Sequence, residues 1–296
     1  MSYNVFAAAT IYTIGSFGLL SSFTSVYIIK KQPLLHNAFG LICGVHSIFE
    51  TLILFNYMFL IFSSVLINPE LEKTNFTAFM GYVQTACHTA SVYIQVVKSS
   101  NRCFAIIFPV QYRTAFTCKN TLKFLGISSI FCFLHVTLFI YYGCFYFYSN
   151  QFYAWIFYKD ECEESPGAVI NLITQIILVS FTLALDSFTL GYLWRRKIGS
   201  QTKKIGKREK RFFFQTCFTS VCHAWMLIPP RLLKPLTTNQ FLIFLTGTPS
   251  MMTFHSMNEF LFVAFTVDSI RAKNFRVMYV NSNGKQISSN NIEMAA

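Results

Sequence analysis

The sequence predicts an all-α integral membrane protein, a bundle of seven transmembrane helices, and three observations lead there. Apolar residues make up 53% of the chain and charged residues only 12%. The apolar residues collect in seven runs long enough to cross a bilayer. The lysines and arginines crowd into alternate gaps between those runs. Soluble domains carry about a quarter charged residues, so these proportions describe a chain whose solvent is lipid. The 34 Phe and 15 Tyr suit helices that face acyl chains and end in interfacial aromatic belts. A formal charge of +12 would otherwise suggest nucleic acid, but basic residues confined between apolar runs are topology signals, and no nucleic-acid partner is expected.

A hydrocarbon core of about 30 Å needs about 20 helical residues to cross it, because lipid satisfies no exposed backbone group. The first run, roughly residues 6–29, follows Met1-Ser2-Tyr3-Asn4, which carries no positive charge. It is too long for a signal peptide and is expected to remain as the first helix. The second covers 39–66 and the third 76–99. The third is the least hydrophobic, with Gln84, His88, Ser91, Gln95 and Arg102 at spacings that share one helical face. Polar groups facing lipid are expensive, so this stripe is expected to face the interior and make the third helix the central strut. The fourth and fifth runs cover 123–147 and 167–194, the sixth 212–233 and the seventh 240–266. Beyond it, Ile270, Phe275, Val277 and Met278 interleave with Arg271, Lys273 and Arg276. This pattern reads either as a short amphipathic helix near 268–278 on an anionic leaflet or as a frayed basic tail. The segment 279–296 is rich in Asn and Ser without an apolar period, and is expected to be a disordered cytoplasmic tail after a single receptor domain, 1–276.

Of the 24 Lys and Arg, all but Lys73, Lys159, Arg231 and Lys234 fall on the side of the first, third and fifth connections and the C-terminus. The stretch from Arg195 to Arg211 is the densest. By the positive-inside rule that side is cytoplasmic and the N-terminus is extracellular. Glu70, Glu72, Asp160, Glu161, Glu163 and Glu164 lie on the opposite side.

The most specific motif follows the third run: Asn101-Arg102-Cys103-Phe104-Ala105-Ile106-Ile107-Phe108-Pro109-Val110-Gln111-Tyr112. It resembles the rhodopsin-like receptor pattern Asp-Arg-Tyr-x-Ala-Ile-x-x-Pro-Leu-x-Tyr, keeping Arg102, Ala105, Ile106, Pro109 and Tyr112 and departing at Asn101, Cys103 and Val110. Further segments narrow the resemblance to the nematode chemoreceptors called serpentine receptor class X. These are Ile14-Gly15-Ser16-Phe17-Gly18, Asn37-Ala38-Phe39-Gly40-Leu41-Ile42-Cys43, a Gly143-Cys144 pair before Cys162, and Lys210-Arg211-Phe212-Phe213. The resemblance extends to about Arg276. It implies a rhodopsin-like G-protein-coupled receptor in the plasma membrane of ciliated sensory neurons, with a small-molecule ligand outside and a heterotrimeric G protein inside.

In such receptors the arginine matched by Arg102 contacts the G protein or locks the resting state, so the resemblance assigns coupling to Asn101, Arg102, Pro109 and Tyr112. Asn101 cannot form the usual ion pair, and a lock here must be weaker or use another partner. Arg102 also reads, more simply, as a snorkelling topology anchor. Gln84 lies eighteen residues before Arg102, about 27 Å along a helix, near the outer end of a central cavity. Gln84 and His88 are read as lining a ligand pocket, or as members of an interhelical hydrogen-bond network. A neutral amide there favours a neutral or weakly polar ligand over an amine.

In the seventh run, His255-Ser256-Met257-Asn258-Glu259-Phe260-Leu261-Phe262 resembles the Asn-Pro-x-x-Tyr element, with Glu259 for Pro and Phe262 for Tyr. His255 and Glu259, four apart, are spaced so that they could pair. Glu50, Asp186 and Glu259 are the acidic residues inside the spans. Glu50, His255, Asn258 and Glu259 form a candidate polar switch or cation site, or else are hydrogen-bonded packing groups. The seventh run has no lysine for a retinal Schiff base. Of the nine cysteines, Cys144 and Cys162 flank one extracellular loop and could bridge it; residues 76–83 hold no Cys to tie that loop to the third helix. Asn75-Phe76-Thr77 is an N-glycosylation sequon on the same side.

No metal-ligand spacing, nucleophile-base pair or phosphate-binding loop is present, so neither enzymatic activity nor a cofactor is expected. Two rivals remain. A transporter or channel would use the intramembrane acids, but the internal repeats and paired broken helices of transporters are not evident. A non-signalling receptor-like protein would explain Asn101, Glu259 and Leu19, the last standing where receptors carry an Asn.

Overall fold

The computed structural model of the chain describes residues 3–61, 74–144, 146–151, 153–157, 160–199, 217–224 and 239–282. Its helices are α1 (Tyr3–Lys31), α2 (Ala38–Ile61), α3 (Asn75–Ile107), α4 (Pro109–Ala115), α5 (Cys118–Tyr141), α6 (Pro166–Gly199), α7 (217–224), α8 (Gln240–Thr246) and α9 (Thr248–Ser282). Most of the sixth predicted run and most of the basic stretch between Arg195 and Arg211 lie outside the described residues. So do residues 283–296 of the C-terminal segment.

The distribution of polarity is the reverse of a soluble bundle. Leu20, Phe23, Phe133, Ile130 and Ile177 are exposed, whereas Ser22, Ser25, Glu50, Thr89, Ser91, Ser99 and Asp186 are buried. Water would penalise both halves of this pattern, and hydrocarbon favours both. By length and composition α1, α2, α5 and α6 are apolar enough to cross a bilayer. The polar stripe keeps α3 from qualifying, and α3 packs against α2, α5 and α6 at the centre of the bundle. Its polar face therefore meets protein rather than lipid.

Several element boundaries differ from the sequence reading. The third helix runs on to Ile107, so Asn101 and Arg102 lie within its last turns. It stops at Phe108, whose backbone leaves the helical region, and Pro109 restarts α4 at a first-turn position where its missing N–H costs nothing. The fourth helix ends at Tyr141, not 147. Gly143 at φ 63° turns the chain, and Tyr146–Ser149 (β1) pairs antiparallel with Ala154–Phe157 (β2). The run Tyr146-Phe147-Tyr148 is apolar enough to continue a helix, but its aromatic residues also favour a half-buried strand.

The seventh run is interrupted rather than continuous. α8 ends at Gly247, whose N–H bonds the carbonyls of Ile243 and Phe244, and α9 begins at Thr248 with Pro249 in its first turn. The expectation of unbroken helices is corrected here. Pro249 cannot supply the N–H that a continuous helix would need. At the other end α9 continues to Ser282, so the segment expected as a separate short helix at 268–278 is the end of the same one.

The hairpin closes one end of the bundle. Tyr148 and Tyr153 are buried with Ile11, Ile53, Leu54, Tyr57, Leu60, Phe244 and Met252 in the largest apolar cluster. The Thr248 hydroxyl donates to the Tyr153 carbonyl, tying the hairpin to the start of α9. Close approach to α3 depends on Gly81: a Cβ there would lie 2.1 Å from the Tyr146 carbonyl oxygen. A disulfide joins Cys144 to Cys162 across the base of the hairpin, where Tyr82 of α3 packs against it.

Candidate functional site

Two buried polar networks run through the bundle, one near its middle and one toward the Arg102 end. The first begins in α2. His46 and Glu50 occupy adjacent turns of the same face in an otherwise apolar helix, and both are buried. Glu50 Oε1 accepts from the Ser91 hydroxyl of α3 at 2.7 Å and lies 3.2 Å from His46 Nε2. Its other oxygen pairs with His255 Nδ1 of α9. Glu259, one turn along α9, accepts from the Ser47 hydroxyl at 2.7 Å and faces His46 Nδ1 at 3.6 Å. Ser47 in turn meets Ser25 of α1 at 2.9 Å. Four helices thus share one buried hydrogen-bonded assembly, where an unpaired member would be costly.

Of the proposed polar switch, Glu50, His255 and Glu259 meet here. His255 engages Glu50 across the helix interface, and Glu259 engages His46 and Ser47, so the His255–Glu259 pair that the spacing allows does not form. A cross-helix carboxylate aligned with the imidazole prevails over an intrahelical neighbour whose direction is set by the helix surface. Asn258 is buried but lies off this assembly, on a wall of a cavity between α7 and α9.

The second network joins α3, α6 and α7. Asp186 accepts from Ser99 and from Ser220, each at 2.6 Å, and Gln95 donates to the Ser220 oxygen at 3.2 Å. Arg102 is buried close by, its guanidinium 5.1 Å from the centroid of the Phe39 ring. Its Nε and Nη1 have no hydrogen-bond partner, and among the described residues no carboxylate forms an ion pair with it. The Asn101 side-chain amide donates to the Tyr112 hydroxyl of α4 at 3.5 Å. Burial raises the Tyr112 hydroxyl above the usual tyrosine range, so it remains protonated. Pro109 opens α4 and thereby sets where Tyr112 returns to α3.

Gln84 accepts from Asn56 of α2 at 3.0 Å, and the Asn56 amide also reaches the Met80 carbonyl. His88, one turn along, has its ring 5.8 Å from His255 and 6.2 Å from His223. Asn75 is exposed in the first turn of α3, while Thr77 of the same sequon is buried and donates its hydroxyl to Thr74. Sequence reasoning did not pick out His46, Ser47, Ser25, Asn56 or Ser220. The His46–Glu50 spacing was visible. The serines carry no signal of their own, because a hydroxyl in a membrane helix often bonds only its own backbone, as Ser21 does.

Long apolar helices exposing hydrocarbon outward around two buried polar networks define a multi-pass helical-bundle membrane protein. The family model of the serpentine-type 7TM GPCR chemoreceptors, Srx, matches residues 12–266, and the chain belongs to this family. It is accordingly an all-α seven-transmembrane membrane protein of a chemoreceptor class, and that class is not an enzyme family. No individual curated protein matches it significantly.

Proposed function

We propose that this chain is a chemosensory receptor of the plasma membrane, the sensory cilium included. It binds a small external ligand and signals through a heterotrimeric G protein, with the N-terminus extracellular and the basic side cytoplasmic. The observation that carries the reading is Arg102: a buried guanidinium at the end of the central helix, held over Phe39, with Nε and Nη1 unbonded and no carboxylate paired with it among the described residues. A buried guanidinium with unbonded N–H groups is expensive, so a second state that gives it an acceptor gains free energy, and an engaged G protein supplies one. Ligand binding shifts the population toward that state. The Glu50–His255 and Ser47–Glu259 contacts, which link α2 to α9, are what the shift would rearrange.

The reading is tested by expressing the chain with a panel of heterotrimeric G proteins and screening neutral odorants with a nucleotide-exchange or calcium readout. A ligand response abolished by Arg102→Ala at unchanged surface expression is the expected result. Failure of every G protein to respond, in a receptor that demonstrably binds the ligand, overturns it. The interruption at Gly247 and the buried carboxylates are also compatible with transport, and substrate flux into reconstituted vesicles separates the two.

A further inference from the structure

A cavity of about 350 Å³ lies between α7 and α9, apart from both polar networks. It exists because two helical stripes face one another without interdigitating. On α9 the stripe is Ser250, Thr253, Met257 and Leu261, at spacings of three, four and four that share one face, with Asn258 beside Met257. On α7 it includes Phe218 and Cys222. The cavity begins beside the Gly247 interruption, where Leu245 and Pro249 line it, and its rim at Phe218 is exposed on the apolar surface of the bundle.

Among the described residues the lining contains no charged side chain. It does contain Asn258, only 5% exposed, whose carboxamide has no hydrogen-bond partner among the described residues. Ser250 and Thr253, farther along the same wall, also lack side-chain partners among the described residues. A carboxamide that opens on hydrocarbon with neither donors nor acceptors used is costly, and an acyl chain in the cavity would leave that cost in place. A molecule with a hydroxyl or carbonyl group would remove it.

We infer that this cavity is a binding site for a small, uncharged, lipophilic alcohol, ketone or ester that enters from the bilayer between α7 and α9, its polar group on Asn258. The volume is at the low end of ligand pockets, which run about 300–1,000 Å³, so the occupant has on the order of ten to fifteen non-hydrogen atoms. The site deepens the receptor reading and rests on it for its consequence. Phe254 lines the cavity and its ring contacts both His223, at 4.9 Å, and His255, at 5.1 Å. An occupant that displaces Phe254 disturbs the imidazole paired with Glu50.

The test uses the purified full chain in lipid nanodiscs without G protein, so it succeeds or fails independently of coupling. The probe is a medium-chain aliphatic alcohol bearing a diazirine, with a hydrocarbon diazirine of equal length as control. Photolysis followed by peptide mass spectrometry is expected to place adducts of the alcohol on Met257 and Leu261. The parent alcohol should compete for them. Asn258→Leu should weaken labelling roughly three- to tenfold, the worth of one hydrogen bond. Thr253→Trp, which fills the space from another position, should abolish it, with gel filtration confirming that both variants remain folded. Labelling spread over the exposed faces of α5 and α6, or equal labelling of the cavity by the hydrocarbon, overturns the inference. The second outcome would identify a lipid acyl chain as the occupant.

Discussion

The cross-helix pairing of His255 with Glu50, in place of the intrahelical pair with Glu259, makes a quantitative prediction. Glu50 is fully buried and has three side-chain contacts: Ser91, His46 and His255. Interhelical hydrogen bonds in membrane proteins contribute about 0.6 kcal/mol on average and up to about 1.7, because the unfolded chain in lipid also finds partners. Three such contacts give roughly 2 kcal/mol for Glu50→Gln, less than the 3–5 kcal/mol lost when one partner of a buried pair is removed in a soluble protein. The sharper quantity is the coupling. A cycle of Glu50→Gln and His255→Asn should show about 1 kcal/mol or more of interaction energy. The parallel cycle of Glu259→Gln and His255→Asn should show a smaller interaction energy, since those two residues meet only through His46 and Glu50. Both are measurable by titrating the protein from mixed micelles into a denaturing detergent and following tryptophan fluorescence. A larger coupling for Glu259 with His255 than for Glu50 with His255 would refute the assignment of partners on which the mid-bundle network rests.

Arg102→Ala should abolish coupling to the G protein while surface expression is retained, and Arg102→Lys should restore little, since an ammonium lacks the planar stacking made over Phe39; nucleotide exchange at matched receptor levels decides this. Gly81→Val should lower the midpoint of thermal unfolding by an amount equivalent to about 1–3 kcal/mol, because its side chain would collide with the Tyr146 carbonyl and push the hairpin off α3. Removing the Cys144–Cys162 bridge, whose cysteines are 18 residues apart, should cost about 3 kcal/mol on the chain-entropy estimate, and the reductant sensitivity of the wild type should vanish in Cys144→Ser/Cys162→Ser. Tags at the N-terminus should be accessible from outside intact cells and tags after Ser282 only after permeabilisation; the opposite pattern would invert the proposed orientation.

Gross architecture was legible in the chain because it depends on composition summed over many residues. A run of twenty apolar side chains has few structural options in lipid, and the third run showed its central position through the spacing of Gln84, His88, Ser91, Gln95 and Arg102. The motif from Arg102 to Tyr112 likewise carried its family in its order. What eluded the sequence was local competition between nearly equal alternatives. Tyr146-Phe147-Tyr148 serves a helix or a strand equally well, and its outcome followed from Gly143 turning the chain and Gly81 making room against α3. Gly247 and Pro249 were visible, but not that they would interrupt the seventh run beside a cavity.

The pairing of buried charges shows the same division most clearly. The order of residues alone marked Glu50, His255 and Glu259 as candidates for one intramembrane polar site, because ionisable groups in long apolar runs are expected to face the bundle interior. Only the packed bundle decided that His255 turns to Glu50, that Glu259 turns to Ser47 and His46, and that Arg102 is left to Phe39. Hydrogen bonds act over about 3 Å and depend on direction, whereas the hydrophobic pattern that places helices in a membrane is blind to both.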